Sequence, residues 1–131
     1  MSQNQITVYE LIGGEATFRK LVDTFYAKVE ADEVLRAIFP EDLEAGKEWQ
    51  YLFLMQYWGG PSTYAELRGH PRLRMRHFPF PITPELRNRW VEHMYESIDE
   101  VGIKEPARSM MREYFDFAAT AMINRYPSSE E

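Results

Sequence analysis

Apolar residues along this chain return at helical spacing, never in the strict alternation of a strand. After Gly13 and Gly14, residues Phe18, Leu21, Val22, Phe25 and Val29 share one stripe, which predicts a helix over about Glu15 to Glu30 with Tyr26 beside the stripe. Asp32 is placed to cap a short helix carrying Val34, Leu35 and Ile38. Phe39-Pro40 closes that helix, because proline disfavours helical geometry in the residue before it. A further helix is predicted from about Leu43 to Trp58. There Gly46, Gln50, Phe53, Leu54 and Tyr57 occupy neighbouring rows, and Gly59-Gly60-Pro61 stops the run. Its inward face is interrupted by a glutamine.

Between Pro61 and Thr83 the pattern breaks. Pro61, Pro71, Pro79 and Pro81 leave room for at most one short helix, about Pro71 to His77. Thr83-Pro84-Glu85 then supplies a cap, a first-position proline and an acidic first turn to a helix built on Leu86, Trp90, Met94, Ile98 and Val101, with Gly102 as its stop. A last helix, about Pro106 to Arg125, carries Ala107, Met110, Met111, Tyr114, Ala118, Ala121 and Met122, and Phe115 and Phe117 widen its apolar face. The expected fold class is all-α: two long antiparallel C-terminal helices packed on two earlier ones. One domain is expected over residues 1–131, with 127–131 a polar tail.

Composition narrows the chemistry. The 131 residues include 44% hydrophobic positions, enough for one core. No cysteine is present, which excludes disulfides, a thiolate nucleophile and cysteine-ligated zinc or iron–sulfur sites. The first residues lack the basic and apolar stretches of a secretory signal and no apolar run has the length of a membrane span, so a cytoplasmic location without membrane contact is the expectation. A formal net charge of -6 argues against a nucleic-acid surface. Against that balance, Arg68, Arg72, Arg74 and Arg76 gather in a segment with no acidic residue between Arg68 and Arg76. An ordinary solvated face accounts for such a run; so does an anionic ligand.

Three histidines are available. His93 reads as structural, and His70, followed by Pro71, fits the start of the short helix. His77 ends that helix, with Leu73 one turn back as apolar support and Arg72 and Arg76 beside it. An imidazole in this setting suits a flat, apolar, anionic ligand containing one metal. Haem meets that description, since its iron takes a neutral histidine nitrogen and its propionates take arginine or tyrosine. Zinc's usual signals, an H-E-x-x-H helix or clustered Cys and His, are absent. Tyr26, Gln50 and Trp90 put polar hydrogen-bonding groups on otherwise apolar faces of three helices. Each alone is an ordinary core or surface residue. Together they are suited to stabilising a partly negative oxygen.

The chain resembles the group II, or O-type, truncated haemoglobins from about Val8 to Asn124. The resemblance is carried by Phe25-Tyr26, by Ile38-Phe39-Pro40-Glu41-Asp42-Leu43, by Gln56-Tyr57-Trp58-Gly59-Gly60-Pro61, and above all by Gly69-His70-Pro71-Arg72-Leu73-Arg74-Met75-Arg76-His77. It implies a truncated globin, a two-over-two α-helical sandwich around haem b, with His77 as proximal iron ligand. Tyr26, Gln50 and Trp90 match distal positions, and Gly46 falls at the distal gate. Phe39 takes the corner position, where several relatives carry tyrosine. Phe53, Leu54 and Leu73 complete the pocket. Arg76 and Tyr64 resemble the propionate contacts, while Trp49 stands where some relatives place a cation.

The resemblance implies binding of dioxygen, carbon monoxide, nitric oxide or peroxide, with a separate reductase as partner and a monomer or homodimer as the assembly. Redox catalysis, as peroxide reduction or nitric oxide dioxygenation, uses the same residues. A haem-free helical interaction module, with the arginine run docking an acidic partner, is the rival reading.

Overall fold

Local chemistry sets most helix boundaries in the computed structural model, which describes residues 6–126; the expected polar tail, 127–131, lies outside the described residues. Helix α1 (Val8–Ile12) opens with a capping box: the Thr7 hydroxyl accepts from the Glu10 N–H at 3.1 Å and the Glu10 carboxylate accepts from the Thr7 N–H at 3.2 Å. Gly13, at φ 112°, ends α1 and leads into α2 (Gly14–Ala31). A Cβ there would stand 2.5 Å from the Thr17 hydroxyl oxygen, so glycine is required by both backbone and space.

The stripe predicted on α2 is fully buried: Phe18, Leu21, Val22, Phe25 and Val29 are all 0% exposed. Helix α2 packs against both α4 (Glu44–Tyr57) and α7 (Pro84–Val101), and α7 packs against α8 (Ala107–Met122). This is the expected all-α arrangement of two helices over two. Thr83 caps α7 through the Leu86 N–H, Pro84 occupies its first turn, and Gly102 ends it in the left-handed conformation, as their sequence signals predict.

Asp32 joins three pieces of the fold. Its Oδ1 accepts from the N–H groups of Val34 and Leu35 at 3.0 and 3.1 Å, capping the short α3 (Glu33–Arg36). The same carboxylate receives Arg89 at 3.0 Å and His93 Nε2–H at 2.7 Å, both from α7. His93 is thus structural, tying α7 to the end of α2. Burial pushes the Asp32 carboxyl pKa up, but the hydrogen bonds from His93 and Leu35 and the Arg89 charge outweigh it, holding the group at about 2.

Four boundaries differ from the sequence expectation. Helix α1 carries too few residues to show a period. Helix α3 ends at Arg36, short of Ile38, because the Arg36 guanidinium turns back to the carbonyls of Pro40 and Glu41 at 2.8 and 2.7 Å and fixes a corner. Two short helices, not one, lie between Pro61 and Thr83: α5 (Thr63–Arg68) and α6 (Leu73–His77). Pro61 precedes α5 without entering it, and the Gln56 amide oxygen of α4 accepts the Ala65 N–H at 2.8 Å. Helix α8 stops at Met122, short of Arg125, because Asn124 is engaged elsewhere. Among the described residues no helix is long and apolar enough to cross a membrane.

Replacing Asp32 with alanine removes a cap and leaves Arg89 and His93 without their carboxylate, an expected loss of about 2–4 kcal/mol in denaturant unfolding at pH 7. Asp32→Asn keeps a capping oxygen and loses less. Because the folded carboxyl titrates near 2 and its ordinary value is 3.8, the stabilisation from the charge is complete above that ordinary value and disappears as pH falls toward 2. The wild-type advantage over Asp32→Asn therefore narrows across that window. An advantage unchanged from pH 5 to pH 2 contradicts this.

Candidate functional site

His77 closes α6, and its ring is committed to one tautomer. Nδ1 lies 2.7 Å from the Leu73 carbonyl oxygen, which can only accept, so Nδ1 carries the proton. Nε2 then presents a lone pair, with no hydrogen-bond partner among the described residues. Leu73 thus supports His77 through its backbone. The rest of α6 is fastened from several directions. Arg76 Nε donates to the Pro71 carbonyl at 2.7 Å, and Arg74 Nε donates to the Ala121 carbonyl at 2.9 Å. Arg72, at φ 46°, starts the helix from the left-handed region, and its N–H donates to His70 Nδ1 at 2.9 Å. His70 is structural, as expected.

Asn124 completes the clamp. Its amide N–H groups donate to the carbonyls of His77 at 3.3 Å and Phe80 at 2.9 Å, and its amide oxygen accepts the Ile82 N–H at 2.9 Å. Sequence reasoning gave Asn124 no such task. The available signal was asparagine's poor fit to a helix, where its side chain competes with the backbone for hydrogen bonds.

Across the fold, the polar groups on the apolar faces lack partners. Tyr26 of α2 is 8% exposed, and burial pushes its pKa to about 12, so the phenol remains a neutral donor. A Cβ on Gly46 of α4 would lie 3.4 Å from the Tyr26 hydroxyl oxygen, which puts these two positions side by side. One turn along α4, the Gln50 side-chain oxygen is buried with no partner. Trp90 of α7 packs against Phe25 at 4.9 Å and Phe115 at 5.7 Å between ring centroids. Neither the Tyr26 hydroxyl nor the Trp90 indole N–H has a hydrogen-bond partner among the described residues. Of these groups, the Gln50 oxygen is the fully buried one, and it shares that condition with the Trp58 indole N–H and His93 Nδ1 elsewhere in the fold. Buried polar groups are almost always paired, so an unpaired one on this face is open to a partner from outside the protein.

The aromatic members of the site form one unbroken series of ring contacts. It runs from Phe39 to Tyr26 at 6.1 Å, to Phe25, and on to Trp90. Through Phe115 of α8 it reaches Tyr114 at 5.4 Å and Tyr57 at 4.2 Å. It then continues to Phe53 at 6.1 Å, Tyr64 at 5.6 Å and Trp49 at 6.0 Å. Leu54 is buried and Leu73 half-buried. A cleft of about 220 Å³, flanked by Asp23, Glu44 and Lys47, reaches Tyr26 from outside. Lys47 bridges that opening, 3.5 Å from Asp23 and 3.7 Å from Glu44.

These residues could hold a metal through one neutral imidazole, give a planar apolar group an aromatic wall, and offer hydrogen bonds to a small ligand. Of the two expected carboxylate contacts, Tyr64 is 3% exposed beneath the Trp49 ring edge, and Arg76 keeps its terminal nitrogens without partners among the described residues once Nε is bound.

The model of the bacterial-like globin family matches residues 7–124. The group 2 truncated haemoglobin of Bacillus subtilis is 42% identical over 95% of this chain and 94% of its own length. Among solved structures, the haemoglobin of the thermophilic phototroph Chloroflexus aurantiacus is 65% identical. It covers 92% of this chain and all of its own, with a TM-score of 0.91. The group II truncated haemoglobin of Bacillus anthracis is 39% identical over 97% of this chain and 98% of its own, with a TM-score of 0.92.

Asn124→Ala strips the partners from the Phe80 carbonyl and the Ile82 N–H, and the expected loss is about 1–3 kcal/mol of stability in chemical denaturation. Amide exchange at Ile82 is expected to accelerate in the same variant. Unchanged exchange there shows that the clamp does not hold this segment.

Proposed function

This chain belongs to the bacterial-like globin family, as a group II truncated haemoglobin, and from that premise we propose that it holds haem b through His77 and retains a diatomic ligand with Tyr26, Gln50 and Trp90. Family membership implies haem and small gaseous ligands. The observation that carries the residue assignment is the Nδ1–H bond from His77 to the Leu73 carbonyl, because a ligating imidazole needs its other nitrogen protonated and anchored. Haem, when bound, would supply an iron that takes a histidine nitrogen and a diatomic molecule as ligands.

The fit extends beyond His77. With no cysteine in the chain, no thioether link of the c type can form, which supports haem b held without covalent attachment. Phe39, Phe53, Leu54 and Leu73 provide apolar walls. Arg76 and Tyr64 serve the two propionates, and Gly46, lacking a side chain, leaves the approach to Tyr26 open. On the distal side the Gln50 amide N–H, the Trp90 indole N–H and the Tyr26 O–H act as donors. Donors placed on packed helices are already oriented when a partly negative oxygen arrives, and burial keeps the Tyr26 phenol protonated for this role. The same donors favour a second reading, peroxide reduction, because they would also polarise an oxygen–oxygen bond.

Protein produced with haem supply is expected to show a Soret band that shifts under carbon monoxide and is altered or lost in His77→Gly. The absence of specific haem uptake by the wild type removes the proposal. Trp90→Phe is expected to raise the dioxygen dissociation rate by roughly tenfold to a hundredfold, corresponding to a donor worth about 1.5–3 kcal/mol. An unchanged rate rejects the donor role. Peroxide turnover no faster than that of free haemin rejects the second reading.

A further inference from the structure

Most arginines of this chain spend their N–H groups on identified oxygen acceptors. Arg19, Arg87, Arg89 and Arg108 meet carboxylates, and Arg36, Arg74 and Arg76 meet backbone carbonyls. Arg68 differs. Among the described residues, no carboxylate or carbonyl lies within hydrogen-bonding reach of its side chain, although the chain carries 21 acidic residues against 15 basic ones. Its guanidinium is nonetheless held in place. The central carbon lies 4.4 Å from the Trp49 ring centroid and 5.8 Å from that of Tyr64, and the residue is half-buried at the end of α5.

The two rings beneath Arg68 are one end of the aromatic series that lines the site. Trp49 and Phe53 are one turn apart on α4, and Tyr64 touches both, at 6.0 and 5.6 Å between centroids. A stacked guanidinium keeps its in-plane N–H donors available, because the π face engages its flat side and leaves the fork at its edge open. An immobilised cation with an open fork beside an apolar wall is arranged to receive a planar carboxylate.

We propose that Arg68 is a carboxylate-binding residue for the haem, taking a propionate at the rim of the pocket with Trp49 as the platform that holds its guanidinium. This rests on the haem-binding reading above. The aromatic floor lowers the entropy lost when the contact forms, since the side chain is ordered before the ligand arrives. It also sets a positive charge at the opening of an acidic protein that would otherwise repel a dianionic ligand.

The test is the rate of haem transfer from the loaded protein to an excess of a haem-scavenging protein. It is run with haem b and with haem dimethyl ester, whose carboxylates are blocked. Arg68→Met is expected to release haem b about three- to tenfold faster than wild type and to release the diester at the wild-type rate. Arg68→Lys falls between, keeping the charge without the fork. The difference for haem b is expected to shrink at high salt. Equal acceleration for haem b and the diester means that Arg68 acts only on pocket structure and overturns the proposal, as does an unchanged rate with haem b. Failure of the wild type to take up either compound instead defeats the haem-binding reading itself, and Arg68's assignment with it.

Discussion

Burial of one face of α2 is the constraint on which the remaining helices depend. Phe18, Leu21, Val22, Phe25 and Val29 have no contact with solvent, and the helices that exclude solvent from them, α4 and α7, carry Gln50 and Trp90. Burying side chains of this kind is favourable by about 1.5–3 kcal/mol each, so the packing that positions these two residues is also a main source of stability. Tyr26 sits beside the stripe, turning its hydroxyl toward the Gly46 position of α4 while its ring stays in the core. Asp32 then fixes where α2 ends. It caps α3, whose Arg36 fixes the corner that presents Phe39, and it ties this segment to α7 through Arg89 and His93.

The segment that carries His77 has a different logic. Helix α6 spans only Leu73–His77 and contributes no fully buried side chain, so it cannot hold its position by packing alone. Hydrogen bonds replace the missing burial: Arg74 to α8, Arg76 to Pro71, Asn124 to the carbonyls on either side of the Phe78-Pro79 turn. The consequence is a histidine whose ring orientation is fixed by its own backbone while its helix is fixed by a neighbour. Met75 and Phe78 beside it remain 60% and 61% exposed, which underlines how little apolar burial this segment uses.

What could be read from the residues tracks the range of the forces involved. Helices α2, α4 and α7 were legible because periodicity, caps and stop signals all operate within a few positions: Asp32 before α3, Thr83-Pro84 before α7, Gly102 after it. The end of α8 was not legible, because a pairing with Ile82 decides it, and no local rule contains that pairing. Helix α5 was hidden by proline counting, although Pro61 stands outside it. At the site, single-residue chemistry selected Tyr26, Gln50, Trp90 and His77, and resemblance gave them roles. The ring series that links Phe39 to Trp49 through α8, and the pairing of Arg68 with Trp49, emerge only when distant helices come together.

The Asn124 clamp also orders events in time. His77 lies 47 positions before the residue that secures its carbonyl, so in a growing chain the segment bearing the imidazole is made long before its anchor. Only when α8 has been made and docked does that segment gain its fixed place. Completion of the pocket is therefore a late step of biosynthesis, and a chain interrupted before Asn124 keeps its histidine without the means to hold it still.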